Sequence, residues 1–160
     1  MNSTIKRKGP GAGPGLILIS ALLACGEAAG QDFSAWRSHR DLKLNTSAAG
    51  AGIASNLVKY PVPVMLTAAN FAFAEAKDDG SDIRFSKPDG SPLPHEIEYW
   101  DKTGSLAAVW VLADVAGNSA SQAIRMHWGN PAAANISDSK AVFAPADGWG
   151  GGLAPGRRRR

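Results

Sequence analysis

Short segments in which apolar and polar residues alternate recur along the chain. In the clearest of them Ile124, Met126 and Trp128 alternate with Arg125 and His127. A period of two is what a β-strand with one buried face produces. Turn signals rich in Gly, Pro and Asp follow about every ten residues, too closely for long helices. The pattern predicts an all-β fold, a jelly-roll-like antiparallel β-sandwich of roughly 6–8 short strands.

Two of the predicted strands have features that place them in a sheet. Pro61 and Pro63 lack amide protons, so the strand over 60–67 is expected at a sheet edge. Residues 106–113 are apolar on both faces, as in a central strand that is buried on both sides of its sheet. The remaining strands are predicted over 36–45, 83–86, 95–100 and 123–128.

The distribution of charge argues against a nucleic-acid partner. The chain has 160 residues, enough for one domain, and a formal net charge of +3. The basic excess lies at the two ends, because 10 basic and 13 acidic residues stand between Gln31 and Gly156. A nucleic-acid-binding domain needs its Lys and Arg clustered on the folded part.

The first thirty residues have the three-part layout of a secretory signal. A basic start at residues 6–8 is followed by an apolar run of ten residues, 16–25, and by small residues up to Gly30. Ten helical residues rise about 15 Å, half of the ~30 Å bilayer core, so this run is too short to span a membrane. The sequence therefore predicts a signal peptide over 1–30 and an exported protein, periplasmic or extracellular.

Lipidation is the alternative to plain export. Leu22, Leu23 and Ala24 before Cys25 resemble a bacterial lipobox, in which Cys25 becomes the lipid-modified N-terminus. We expect the protein to contact the membrane only during export or through this lipid anchor. We expect the β-sandwich domain over 31–145, followed by a Gly/Arg-rich, disordered tail over 146–160.

An ordered set of short segments is similar to a known family. The chain resembles the bacterial extracellular family called domain of unknown function 2341, through segments at 36–40, 60–64, 79–85, 93–101, 109–111, 126–131 and 142–143. The resemblance implies an exported β-rich module without assigned catalytic residues. It also implies neighbours of two kinds, a concanavalin A-like lectin/glucanase domain or a TolQ/ExbB-type proton-channel protein. In relatives the chain continues into the lectin-like domain, whereas here a Gly-rich stretch and four Arg follow, which is typical of a truncation or frame change.

The sharpest candidate for chemistry lies in the predicted strand at 95–100. Glu96 and Glu98 are expected on one face with their Cα atoms roughly 6.5–7 Å apart. With Asp101 they have the acid spacing of laminarinase-like glycosidases, although the acid types are permuted. Trp100 is expected on the same side and is the candidate for an exposed aromatic that stacks on a sugar ring.

Metal and nucleophile signals are weaker. Asp78, Asp79 and Asp82, close to Ser81, could form a calcium loop or an ordinary Asx turn, and no other cofactor is expected. The three His have no zinc-site spacing, and neither a usable Cys nor a Gly-x-Ser-x-Gly turn is present.

The sequence predicts a non-enzymatic accessory module for binding or adhesion at the cell envelope. Its expected partner is a glycan or an envelope protein, and Trp100, Glu96 and Glu98 are its expected binding residues. One alternative is a glycoside hydrolase-like fragment that uses the strand carboxylates. Another is a periplasmic sensor or spacer of a TolQ/ExbB-type transport system.

Overall fold

The structure, a computed structural model, describes residues 31–143. The predicted leader with Cys25 and the predicted tail at 146–160 lie outside the described residues. The strands are β1 (Ser38–Leu44), β2 (Leu57–Thr67), β3 (Arg84–Ser86), β4 (Pro92–Leu93), β5 (His95–Asp101), β6 (Leu106–Val115) and β7 (Gln122–Trp128). A 3₁₀ turn at Phe73–Glu75 and a short helix α1 at Ser139–Phe143 complete the elements.

The strands form two antiparallel sheets. One has four strands in the order β1-β7-β3-β4, and the other has three in the order β2-β6-β5. The predicted all-β antiparallel sandwich is therefore confirmed, with seven strands between residues 31 and 143.

The core lies between the two sheets. Alternate residues of β6 and β7 point into it, as the period of two requires, and Val109, Val111 and Met126 are almost completely buried. Aromatic residues from the 70–76 connection close one end, where Phe71 and Phe73 meet edge to face with ring centroids 4.9 Å apart. Burial of these side chains is the dominant stabilising contribution in a domain of this size.

Both placements inferred from local pattern are confirmed. β2, with Pro61 and Pro63, is an edge strand, and β6 is the central strand of its sheet. The helix α1 is an addition that alternation did not predict. Its first turn is capped by Asp138, whose carboxylate accepts the backbone N–H of Lys140 and of Ala141. No helix in the described part of the chain has the length and apolar character to cross a membrane.

Candidate binding face on the three-stranded sheet

The surface of the three-stranded sheet that points away from the core is strongly apolar. Its residues form rows across the three strands, because Met65 lies opposite Ala108, which lies opposite Tyr99. Met65 is 54% exposed and Tyr99 is 49% exposed. We call this surface the outer face and define it by Pro63, Met65, Glu96, Glu98, Tyr99, Leu106, Ala108 and Trp110.

A β-bulge decides which β5 residues belong to the outer face. Ile97 pairs with Val109, but the next pair is Tyr99 with Ala108, so one extra residue, Glu98, is inserted between them. After the bulge the alternation is reversed, and Tyr99 points outward where unbroken alternation would place it inward.

Trp100 therefore points inward, and the prediction that it shares the exposed side with Glu96 and Glu98 is wrong. Its ring packs against the core, with its centroid 5.3 Å from that of Phe73. It also lies tightly over Gly80, where an added Cβ would be 2.5 Å from two indole carbons. Its indole Nε1 is buried without a hydrogen-bond partner. The bulge substitutes Tyr99 for Trp100 as the exposed aromatic of this strand.

Trp110 anchors the centre of the outer face. Its Nε1–H donates a hydrogen bond of 2.6 Å to the Glu98 carboxylate. The Phe143 ring at the end of α1 meets the Trp110 ring nearly perpendicularly, with centroids 5.6 Å apart. These two contacts fix the orientation of the half-buried indole. A ligand that binds the ring therefore does not have to restrict its side-chain rotamers further.

The Glu96 carboxylate of the outer face stands in an environment that disfavours its charge. Partial burial raises the pKa of Glu96, and the negative charges of Glu98 and Asp138 raise it further. Ser137 and Asp138 run beside β5, where the Ser137 hydroxyl accepts the Ile97 N–H and the Asp138 N–H donates to the His95 carbonyl. The sequence indicated Glu96 and Glu98, but it did not indicate Asp138 as their neighbour.

The predicted calcium ligands do not come together. The Asp78 side chain is 98% exposed and forms an ion pair with Lys102, whereas Asp79 accepts the Ser81 N–H in an Asx turn. Asp82 is fully buried, and its two carboxylate oxygens accept the backbone N–H of Lys77 and of Gly129. Within residues 31–143 no group of three His, Cys, Asp or Glu side chains is arranged to hold a metal ion.

The opposite surface of the molecule has a polar cluster that the sequence did not reveal. Ser86 and His127 lie on the outward side of the four-stranded sheet, with the Ser86 Oγ 3.0 Å from the His127 Nε2. The Phe33 ring stacks on the imidazole at a centroid distance of 3.9 Å. Because Phe33 precedes the first strand, no local pattern could place it there. Ser86 is almost completely buried, so its hydroxyl is not presented to a substrate.

A cavity of about 440 Å³ opens at one end of the sandwich. Gln122 on its wall is already engaged, since its side chain donates to the Asp114 carbonyl and accepts the Ala116 N–H. None of the residues predicted for a site lines this cavity. The outer face is the surface that brings the predicted carboxylates together with exposed aromatic rings.

Comparison with known proteins gives one family. Residues 79–152 match the model of the family described as "Domain of unknown function (DUF2341)". No curated protein and no solved structure matches the chain. The match contains β3 to β7 and α1 and thus all outer-face residues except those of β2. The resemblance seen in the sequence is confirmed over this segment: residues 79–152 are similar to the DUF2341 family, whose description assigns no function.

Proposed function

We propose that this chain is an exported, non-catalytic accessory module that adheres to a glycan of the cell envelope through the outer face. The sequence supports export through the signal-like layout of residues 1–30. The family description supplies no activity, so the proposal rests on the chemistry of the surface itself.

One observation carries the proposal: Tyr99 and Trp110 share an exposed sheet surface with the carboxylates of Glu96 and Glu98. Aromatic rings offer flat apolar faces on which the C–H face of a pyranose can stack. Carboxylates accept hydrogen bonds from sugar hydroxyls, and such bonds to charged acceptors are the stronger ones. A shallow sheet surface fits a chain of sugars that lies along it.

The test is co-sedimentation of the purified protein with insoluble polysaccharide from the cell envelope, compared with its Tyr99→Ala variant. We expect the variant to lose about tenfold or more in affinity, because aromatic anchors dominate such surfaces. The control is Tyr60→Ala, which removes a tyrosine that is 40% exposed and lies outside the outer face.

Equal binding by wild type and Tyr99→Ala would overturn the proposal. The proposal would also be overturned if the wild type released soluble sugars during the incubation and the Glu96→Gln variant did not. That result would make the chain a glycoside hydrolase that acts through its strand carboxylates.

A further inference from the structure

We infer that the glycan bound by the outer face is cationic, a polymer of amino sugars with free, protonated amines. The inference rests on the proposed glycan-binding function and adds the charge of the ligand. It is carried by the charges and rings of the outer face.

The charge on this sheet surface is of one sign. The outward residues of the three rows that cross β2, β6 and β5 include Glu96 and Asp101, whereas none of them is Lys or Arg. By strand they are Pro63, Met65 and Thr67, then Leu106, Ala108 and Trp110, then Glu96, Tyr99 and Asp101. Glu98 at the bulge adds a further carboxylate. The surface therefore presents negative charge on an apolar ground.

The hydrogen-bond donors to the carboxylates of this surface are neutral groups. Glu98 accepts a hydrogen bond from the neutral indole N–H of Trp110. The neighbouring Asp138, in the segment that lies beside β5, accepts the neutral backbone N–H groups of Lys140 and Ala141. These donors solvate the carboxylates but do not neutralise them, which agrees with the raised pKa of Glu96 beside them. A neutral sugar would cover the carboxylates and increase the free-energy cost of burying their charge, whereas an ammonium group would offset that cost.

The aromatic rings lie next to the carboxylates. Trp110 touches Glu98 through its N–H and Phe143 through its ring, and Tyr99 lies next to the same bulge. A ring face attracts a cation through its quadrupole, and the attraction grows when water is excluded. Carboxylates and aromatic faces on one surface thus select for a positively charged sugar over its neutral counterpart.

A matched pair of ligands tests the inference. Binding of the full chain is measured by calorimetry with a glucosamine hexamer, below the pKa of its amines, and with the N-acetylglucosamine hexamer, which has the same rings without the charge. We expect the amine form to bind about tenfold or more tightly, with an affinity that falls as salt is added.

Variants connect that preference to the outer face. We expect Glu98→Gln and Glu96→Gln each to reduce binding of the amine hexamer several-fold and to leave the N-acetylated hexamer nearly unchanged. The control Asp32→Asn also removes one negative charge, but it lies next to Phe33, which covers His127 on the four-stranded sheet, so it should change the binding of neither hexamer. Near-UV circular dichroism confirms that each variant is folded.

The outcomes separate the two proposals. Equal or tighter binding of the N-acetylated hexamer, lost in Tyr99→Ala, would overturn the cationic ligand and keep the glycan-binding function. Tight binding of the amine hexamer that neither Gln variant weakens would overturn the role of these carboxylates. Binding of neither hexamer would overturn the cationic ligand, whereas the glycan-binding function is decided separately by the co-sedimentation of wild type and Tyr99→Ala.

Discussion

His95 is a buried imidazole at the start of β5, and its position makes the fold sensitive to acid. The side chain is 2% exposed and its ring centroid lies 5.5 Å from that of Phe85. Burial, together with the positive charge of Arg84, lowers the pKa of His95 to about 4. The pKa of His127 is also lowered to about 4, by burial under Phe33 and by the positive charges of His39 and Arg125.

We expect stability to decrease as the pH falls from about 6.5 toward 4. The unfolded chain binds a proton at His95 near pH 6.5, whereas the folded chain resists it down to about 4. The unfolded state therefore takes up more protons in this window, and His95 alone removes about 3 kcal/mol by its lower end. Urea unfolding measured at several pH values checks the expected slope.

His95→Gln is the control for this pH effect. It cannot be protonated in this range, so the remaining slope should be the part due to His127, even though the variant is less stable at neutral pH. A slope as steep as that of the wild type would show that His95 does not carry the effect.

At the scale of the element, β2 shows how the sheet protects its free edge. Pro61 and Pro63 lie opposite Leu112 and Trp110 of β6. Since a Pro has no N–H to give to the ladder, both nitrogens face the open side of the strand. The free edge thereby lacks two donors that another chain could use for pairing.

We expect the double variant Pro61→Thr, Pro63→Thr to associate with itself. Thr favours strands and restores both amide donors on a long edge strand, which invites edge-to-edge pairing. Light scattering coupled to gel filtration should show a mass that rises with concentration. Pro88→Thr in the β3–β4 turn serves as the control and should remain like the wild type. An unchanged mass of the double variant would contradict the protective role.

At the scale of the whole molecule, Asp82 connects three separate parts of the chain. Its carboxylate binds the backbone N–H of Lys77 in the preceding loop and of Gly129 at the end of β7. Its own carbonyl accepts the Trp36 indole N–H in front of β1. The acidic loop that the sequence offered as a calcium site thus contains a fully buried carboxylate with a structural role.

We expect Asp82→Asn to destabilise the protein by about 2–4 kcal/mol. The amide keeps the shape of the carboxylate but turns one acceptor into a donor, which then faces a buried backbone N–H. Thermal or urea unfolding measures the loss. Asp79→Asn changes an exposed Asx turn and should lower the free energy of unfolding by less than about 1 kcal/mol. Similar losses in the two variants would argue against the buried role of Asp82.

Much of the fold was predictable because strand alternation is a local signal. The faces of β7, the edge position of β2 and the central position of β6 all follow from residues within each segment. The turn at 88–90 is equally local, since Pro, Asp and Gly act through their own backbone.

The candidate site was only half predictable. Glu96 and Glu98 follow from spacing along one strand, but Trp100 does not lie beside them, because the bulge exists only in the register between β5 and β6. Packing of the Trp100 indole over Gly80, twenty residues away, holds that ring inward. Asp138 and Phe143 reach the outer face through a helix too short to show a pattern of its own.

The sequence by itself determined the class of the fold, most of its strands and the resemblance of residues 79–152 to the DUF2341 family, because each depends on short patterns of residue type. Only the tertiary structure decided which aromatic is exposed, that Phe33 covers His127 and that Asp82 is buried. These features depend on contacts between residues far apart in the chain, whose pairing is set by packing and register rather than by the identity of their neighbours.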